Sequence, residues 1–387
     1  MSGEALALYV HWPFCVSKCP YCDFNSHVRE TIDQDGWRDA LLADLAHEAS
    51  LLAGRKLTSI FFGGGTPSLI DPATVAALIE AATKHWTPAE DLEVTLEANP
   101  NSVEAARFAD FAAVGVNRLS LGLQSFDDDT LAFLGRAHDA REGFRALEVA
   151  QKNFRRVSFD LIYALPGDNE ASWSATLAQA LSLGTSHLSL YQLTIEPGTR
   201  FATMVAKHEF EPLDPNASAA LYELTDEMTS SAGMPAYEIS NYARRGQQSR
   251  HNLTYWRYGD YAGVGPGAHG RRLGMRTVRH KKPENFLSAI ARNHHGIAEE
   301  APLSPIEAAD EALVMGLRLS EGIDVDALTD RFGFSPVERG RADRLVSSGH
   351  LTREGARIAL TAKGRLVLDA ILGEIAVSEP MALAAAG

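Results

Sequence analysis

Cysteine is nearly absent from this chain of 387 residues, which contains only Cys15, Cys19 and Cys22. All three fall within one short N-terminal stretch, YVHWPFCVSKCPYCDFNSH. Three cysteines cannot all pair, and none lies elsewhere to staple the fold, so a disulfide-stabilised secreted domain is excluded. The three residues point instead to metal ligation or thiol reactivity in a reducing compartment, and we predict a cytoplasmic location.

Long apolar runs and an excess of positive charge are missing as well. No stretch is long enough to span a bilayer as a helix. The N-terminal MSGEALALYV has neither the basic region nor the long apolar core of a secretory signal. The formal net charge of −14 argues against general nucleic-acid binding, which needs a basic surface. We therefore expect a globular protein that does not bind nucleic acid.

One segment departs from this acidic composition. Residues 239–282 contain a single acid, Asp260, and ten basic residues. A cluster of this kind is usually a solvated face. The alternatives are a nearby anionic ligand and peripheral contact with an anionic membrane surface. The basic residues are Arg244, Arg245, Arg250, Arg257, Arg271, Arg272, Arg276, Arg279, Lys281 and Lys282.

Six short apolar runs alternate with amphipathic segments in the first half of the chain. Because both faces of each run are apolar, we predict buried parallel strands. The runs are LALYVHWPF, LTSIFFGGGT, LEVTLEANP, VNRLSLGLQS, VSFDLIYALPGD and HLSLYQLTIEPG. The helices predicted between them cover residues 35–53, 72–84, 103–114, 140–153 and 171–183. This alternation predicts an α/β fold whose parallel sheet is open or curved into a barrel, with its ligand beyond the carboxyl ends of the strands.

The pattern changes after about residue 212. A helix predicted over 216–232 leads into the basic, glycine-rich stretch, and the chain becomes mainly helical from residue 304. Short extended pieces around a turn follow in HLTREGARIALTAKGRLVLDAIL, which is typical of a winged-helix-like module. We predict three parts: a core over 1–235, a basic connecting region over 236–300 and a C-terminal domain over 301–377. The terminal EPMALAAAG is predicted to be frayed.

The spacing C-x3-C-x2-C places three soft ligands on one tight loop. Thiolates suit iron–sulfur clusters, zinc or copper. A cubane [4Fe–4S] cluster held by three cysteines leaves one iron free to bind a substrate. Structural zinc normally takes four protein ligands, so a zinc site would need His11 or His27 as the fourth. A redox-active thiol cluster is the remaining alternative.

The cysteine spacing directly after a first strand resembles the signature of the radical S-adenosylmethionine (SAM) superfamily, including the aromatic Tyr21 before the third cysteine. The resemblance implies a partial (β/α)6 TIM-like barrel. It also implies that SAM binds the open iron and is cleaved reductively to an adenosyl radical. The FGGGTPSL segment, with Gly64, Gly65 and Thr66, resembles the family segment that contacts the methionyl group of SAM.

Further residues extend the resemblance over most of positions 5–375, to oxygen-independent coproporphyrinogen oxidases and their relatives. The resemblance implies a SAM pocket formed by residues on consecutive strands. Taken singly, Glu97, Gln124 and Asp160 are equally consistent with helix caps or polar strand ends. The implied SAM contacts are Tyr9, Gly64, Gly65, Thr66, Glu97, Gln124, Arg136, Asp160, Thr194 and His269.

Two features separate this chain from the oxidases. Phe24 stands where they carry a further cysteine, and their longer arm before the first strand is missing. CDFNSH instead resembles the shorter HemW-type haem chaperones, and HNLTYW resembles their haem-binding segment. That likeness implies His251 as a haem ligand, since neutral imidazole binds haem iron well. Tyr255 and Trp256 are then expected to stack on the macrocycle, and Arg250 and Arg257 to pair with propionates.

The function that these resemblances imply is to bind haem and transfer it to an acceptor protein. The implied cofactors are a [4Fe–4S] cluster on Cys15, Cys19 and Cys22, SAM and haem; the implied partners include an electron donor, and a homodimer is a further expectation. Two alternatives stay open: oxidative decarboxylation of coproporphyrinogen III, which shares the fold and SAM site, and a zinc-stabilised binding module. Enzymatic activity is left undecided by the sequence.

Overall fold

The computed structural model describes residues 4–377, so the predicted fraying of EPMALAAAG lies outside the described residues. Its core is one large sheet of eleven strands in the order β13-β12-β11-β10-β1-β4-β5-β6-β7-β8-β9. These strands are β1 (Ala5–Trp12), β4 (Lys56–Gly64), β5 (Thr87–Ala98), β6 (Arg118–Gln124), β7 (Arg156–Tyr163), β8 (His187–Gln192), β9 (Asn241–Ala243), β10 (Asp260–Val264), β11 (His269–Arg272), β12 (Met275–Arg279) and β13 (Ile297–Pro302). A two-stranded pair, β2 (Phe14–Cys15) and β3 (His27–Val28), lies in the cysteine loop.

Six neighbouring strands, β1, β4, β5, β6, β7 and β8, are all parallel. They correspond to the six predicted runs, and their side chains are buried on both faces, as in β6, where six of seven residues are buried. Within the described residues the edge strands β13 and β9 do not pair with each other, so the sheet remains open. The partial (β/α)6 barrel predicted from the sequence is confirmed.

Helices connect the parallel strands and cover the outer face. They are α1 (Gln34–Leu51), α2 (Pro72–His85), α3 (Ser102–Ala105), α4 (Phe108–Ala113), α5 (Asp128–Phe133), α6 (Ala140–Asn153) and α7 (Glu170–Ser182), with a 3₁₀ turn at Pro67–Leu69. Asp139 caps α6 by accepting the Glu142 amide proton, which fixes its start. The helix predicted over 103–114 is instead divided into α3 and α4.

Four hydrogen bonds explain the division. Glu104 is buried and bonds Ser68 and the amide of Asn99, while the Arg107 guanidinium donates to the carbonyls of Ser68 and Ile70 at 2.8 and 2.7 Å. These contacts fix the backbone at Arg107 against the turn after β4. Tertiary contacts therefore override the continuous helical pattern.

The predicted connecting region 236–300 supplies five strands, β9 to β13, to the same sheet. Strand β10 pairs in parallel with β1, and β11, β12 and β13 follow as an antiparallel meander. Further helices accompany this half: α8 (Arg200–Ala206), α9 (Pro215–Ser231), α10 (Arg250–Trp256) and α11 (Pro283–Asn293).

The basic stretch does not form one exposed cationic face. Arg271, Arg272 and Arg279 are all buried. Arg272 and Arg279 bind the buried carboxylate of Glu48 on α1, with their closest N–O distances 2.5 and 2.6 Å. Much of the positive charge that the sequence concentrates here thus stabilises the packing of the meander on α1.

The C-terminal part has its own hydrophobic core, formed by residues from Leu313 to Ile375. It contains α12 (Pro305–Arg318), α13 (Val325–Phe332), α14 (Arg339–Ser347), α15 (Ala362–Arg365), α16 (Leu368–Ile375) and a small sheet of β14 (Ile323–Asp324), β15 (Leu351–Glu354) and β16 (Arg357–Leu360). Helices followed by a β-hairpin confirm the predicted winged-helix-like domain. Among residues 4–377, no helix combines the length and apolarity needed to cross a membrane.

Candidate functional site: the cysteine cavity

The three cysteines line one cavity of about 200 Å³ at the carboxyl ends of the parallel strands. All are free and half-buried, and the Cys22 amide donates to the Cys19 carbonyl at 3.2 Å, which closes a tight turn. Burial raises the pKa of the Cys15 and Cys22 thiols in the protein alone. Binding a metal centre that takes thiolates would therefore release protons.

The donor set suits a cluster better than a single ion. Within residues 4–377, no three Cys, His, Asp or Glu side chains converge on a point where one metal ion could sit. Each cysteine of a cubane binds a different iron, so its sulfurs need not converge, whereas zinc ligands must. His11 is also unavailable as a zinc ligand, because its ring nitrogens bond the Tyr9 hydroxyl and the Asn25 carbonyl, both at 2.9 Å.

Arg136 reaches the cysteine loop from the turn after α5. Its guanidinium donates to Cys19 Sγ at 3.4 Å, to Asn99 Oδ1 at 2.5 Å and to the Gly122 carbonyl at 3.0 Å. Its Nε is buried without a hydrogen-bond partner. The free Nε leaves a donor for a bound anionic group.

Asn99 is a residue that sequence reasoning missed. Its side-chain oxygen accepts a hydrogen bond from Arg136, and its side-chain nitrogen donates one to Thr66 Oγ1 at 3.1 Å. Asn99 therefore links two of the predicted SAM contacts. Asn99 directly follows the carboxyl end of β5 in the segment LEANP. This position at a strand end could have identified it as a candidate site residue.

The glycines of GGGT serve close packing of the protein itself. Gly64 has φ +112°, and a Cβ there would meet the His11 ring at 2.6 Å; a Cβ at Gly65 would meet the Phe14 carbonyl oxygen at 2.6 Å. Only glycine permits this conformation and approach. The segment still lines the cavity together with Thr66, whose amide donates to Phe14.

Glu97 and Asp160 form a half-buried acidic pair that lines the cavity. Burial, and then the charge of Asp160, raise the pKa of Glu97 to about 8. Burial likewise raises the pKa of Asp160 to about 6. Glu97 accepts the Gly64 amide proton at 3.3 Å. The charges of Arg118 and, for Asp160, Arg136 only partly offset this effect of burial. The pair therefore suits a further cationic group, and both sulfonium and ammonium groups meet that description.

We expect the Glu97→Gln variant to change how stability depends on pH. The pKa of Glu97 in the folded chain, about 8, lies above the ordinary value of 4.5, so its contribution to stability is present below pH 4.5 and lost as the pH rises toward 8. Glutamine does not ionise. The Tm of the variant minus that of the wild type should therefore increase between about pH 5 and pH 8 in cluster-free protein.

The matched control for this measurement is Glu90→Gln, an exposed position on the same strand. Its Tm difference from the wild type should stay flat over the same range. A flat difference for Glu97→Gln as well would mean that Glu97 carries no raised pKa.

A second cavity of about 470 Å³ adjoins the first and shares Tyr21, Cys22, Phe24, Gln124 and the acidic pair with it. Gln124 has φ +66°, a left-handed conformation that is strained for this residue and directs the end of β6 into the site. Thr194, after β8, lines only the second cavity. The two cavities together contain most of the predicted SAM contacts.

Three predicted contacts line neither cavity: Tyr9, His251 and His269. Tyr9 lies just below the cysteine cavity, where its hydroxyl bonds His11. His269 is exposed at the start of β11, beside the carboxyl end of β10, and lines neither cavity. Its contact with SAM stays a prediction.

His251 lies inside the barrel on α10, beneath Tyr9. Its ring stacks on Phe61 with centroids 4.9 Å apart, and its Nδ1 lies 3.2 Å from the Ser59 hydroxyl. Glu93 accepts the His251 amide proton and thereby holds the start of α10. Burial lowers the pKa of His251 to about 4, so the imidazole is neutral, as an iron ligand must be.

The predicted haem-contact residues near His251 in the sequence already form contacts within the protein. Arg250 pairs with Asp91, and Arg257 pairs with Glu321 at 2.7 Å. The ring of Tyr255 packs at a steep angle against Trp256, with centroids 5.0 Å apart. Pairing of Arg250 and Arg257 with haem propionates would therefore require an exchange of partners.

Comparisons with known proteins agree with this geometry. A model described as "Radical SAM superfamily" matches residues 9–180, and one described as "HemN C-terminal domain" matches residues 303–367. The chain is 40% identical to bovine "Radical S-adenosyl methionine domain-containing protein 1, mitochondrial" over 96% of this chain and 87% of that one. It is 36% identical to "Heme chaperone HemW" of Escherichia coli over 95% and 97% of the two chains.

Among solved structures, the coproporphyrinogen III oxidase HemN of E. coli superposes with a TM-score of 0.81 at 22% identity, over 96% of this chain and 90% of that one. This likeness establishes a shared fold. A parallel half-barrel with three cysteines, a glycine segment and half-buried acids at its strand ends is the architecture of a radical SAM protein. The chain belongs to the radical SAM superfamily and, within it, to the HemW-type haem chaperones.

Proposed function

We propose that this protein is a haem chaperone that holds a [4Fe–4S] cluster and SAM, binds haem and transfers it to an acceptor protein. The observation that supports the proposal most strongly is the near full-length relationship to HemW at 36% identity. The continuous pair of cavities at the strand ends provides room for the cofactors beside a further ligand.

The residues of the first cavity have distinct roles in this proposal. Cys15, Cys19 and Cys22 would hold the cluster, which supplies low-potential electron transfer and an open iron for SAM. Arg136 donates a hydrogen bond to Cys19 Sγ and, through Asn99, orients Thr66. The acidic pair receives positive charge from SAM.

Haem binding through His251 is a separable part of the proposal. We expect His251→Ala to shift the Soret band and to weaken haem binding by about tenfold or more, because the axial ligand is lost. The measurement is a haem titration of cluster-loaded protein followed by visible absorption.

The control for this titration is His208→Ala, an exposed histidine outside both cavities. It should bind haem as the wild type does. An unchanged Soret band and affinity in His251→Ala would remove the ligand assignment but leave the chaperone proposal standing. A wild type that binds no haem would overturn the proposal itself.

Decarboxylation of coproporphyrinogen III is the alternative that the shared fold with HemN allows. Phe24 is 58% exposed at the rim of both cavities, at the position where the oxidases carry a cysteine. An anaerobic assay for loss of two propionate carboxyl groups, run on the preparation used for haem titration, decides between the two functions. An ultraviolet–visible spectrum of anaerobically purified protein decides the zinc alternative, because zinc thiolates have no visible absorption.

The acceptor protein, the electron donor and a homodimer are further parts of the proposal, as is a cytoplasmic location with peripheral contact to an anionic membrane. Three arginines of the basic stretch are buried, so a membrane contact would use the exposed ones. The exposed charges of this stretch include Arg244, Arg245, Lys281 and Lys282.

A further inference from the structure

Arg318 is a cation without an ionic partner at the wall of the second cavity. It is the last residue of α12, so the C-terminal domain delivers it to the barrel. Within residues 4–377 it makes no hydrogen bond or ion pair, and its Nε is buried without a partner. The nearby buried carboxylate of Glu238 bonds Asn241 and the Ser240 amide instead. A guanidinium has five N–H donors, and here they are unused.

Trp256 holds this guanidinium in place. The guanidinium carbon of Arg318 lies 5.1 Å from the centre of the Trp256 ring, a cation–π distance. Trp256 ends α10, the helix that also carries His251. The Trp256 ring at the end of HNLTYW therefore contacts Arg318 and is not free to stack on a macrocycle.

The rest of the second cavity combines apolar, uncharged polar and acidic side chains. Its apolar walls include Phe24, Ile162, Leu190, Leu193 and Ile239. Arg318 is the only basic side chain among the described residues that line it, beside the carboxyl groups of Asp23, Glu97, Asp160 and Glu196. Its volume of about 470 Å³ falls in the range of small-molecule sites.

We propose that Arg318 is the carboxylate anchor of the second cavity and binds one propionate of haem. The inference rests on the proposed function, and it names the residue that recognises the ligand. A free guanidinium binds a carboxylate through two parallel hydrogen bonds. The apolar side chains of the cavity wall contact the edge of the macrocycle that carries this propionate. Trp256 is a positioning residue for the anchor.

The charge of the cavity also sets its specificity. Haem has two propionates, one of which can stay at the solvent-exposed mouth while Arg318 takes the other. A porphyrinogen with four carboxylates would place the additional negative charges near the carboxylates of Asp23 and Glu196, which line the same cavity. Like charges in a partly desolvated site repel strongly. The anchor therefore favours haem over coproporphyrinogen.

The test compares haem with haem dimethyl ester, which lacks free carboxylates, on wild-type protein and on Arg318→Gln. We expect Arg318→Gln to weaken haem binding by about tenfold to a hundredfold, the effect of one charge-assisted bidentate contact. The ester should bind the wild type and Arg318→Gln equally and more weakly than haem binds the wild type. The Soret position with haem should not change, because the anchor is not the iron ligand.

Two further variants make the result decisive. Arg276→Gln removes an exposed positive charge on β12 and should bind haem as the wild type does. Arg318→Lys keeps the charge and should restore part of the affinity, which also serves if Arg318→Gln does not fold. Equal haem binding by wild type and Arg318→Gln, or equal binding of haem and ester by the wild type, overturns the anchor alone. A wild type that binds no haem overturns the proposed function and the anchor with it.

Discussion

Replacing Cys19 by serine is expected to remove nearly all iron and acid-labile sulfide from anaerobically prepared protein. Serine oxygen is a hard and poorly ionised donor, whereas cluster iron is held by soft thiolates. The chain has no spare cysteine to substitute, because its three cysteines are all in this loop. Broad visible absorption, iron and sulfide should all be lost together.

The same substitution is expected to weaken SAM binding. In the proposed site SAM takes the iron that the cysteines leave open, so a protein without the cluster keeps only the contacts of the cavity wall. Equilibrium dialysis with SAM on wild type and Cys19→Ser measures the difference, and a loss of about tenfold or more is expected. Equal SAM binding by the two proteins would show that SAM binding does not depend on the cysteine-bound cluster.

Val16→Ser is the matched control, since it places the same hydroxymethyl group one residue from Cys15 at a position that is 64% exposed. It should retain iron, sulfide and absorption. If Cys19→Ser kept the cluster, or if Val16→Ser lost it, the assignment of the three cysteines as the ligands would be wrong.

Local sequence was sufficient to predict the elements that depend on local signals. Helix α6 runs over Ala140–Asn153 as predicted, because Asp139 is a side-chain cap and the β-strand begins soon after. The six parallel strands were recognisable because burial on both faces produces continuous apolar runs. The cysteine cavity followed from the rule that ligands bind beyond the carboxyl ends of parallel strands.

Features that depend on contacts distant in sequence were not predictable in the same way. The break between α3 and α4 depends on Arg107 reaching two carbonyls more than thirty residues away. The sequence around Arg272 and Arg279 does not indicate that their side chains are buried, because the carboxylate that they bind lies on α1. The unpaired Arg318 and its contact with Trp256 likewise join two segments that only the fold brings together.

The carboxylate of Glu48 is the centre of a buried ion network that joins α1 to the antiparallel meander. Its oxygens accept Arg272 Nε at 2.5 Å and Arg279 Nη2 at 2.6 Å, and the side chains of Glu48 and Arg279 are 0% exposed. Arg279 also binds Asp44 at 3.2 Å. Burial alone would raise the pKa of Glu48, but the two arginines hold it below its ordinary value.

We expect Glu48→Gln to destabilise the protein by about 3–5 kcal/mol, because removing one partner of a buried pair leaves uncompensated buried charge. The apparent Tm should fall by roughly 4–6 °C at neutral pH. Since the pKa of Glu48 is lowered by folding, its carboxylate stabilises the fold above pH 4.5, and that contribution is lost as the pH falls through the depressed value. The difference between Glu48→Gln and wild type should therefore shrink in acid.

Glu284→Gln is the control, because it breaks an ion pair with Arg29 that is exposed on both sides. Surface pairs contribute little to stability, so no measurable change in Tm is expected. A Tm for Glu48→Gln equal to that of Glu284→Gln would show that the buried charges are compensated without Glu48. In that case the meander must be held on α1 by apolar packing, such as the stacking of Trp37 on Phe286, rather than by its arginines.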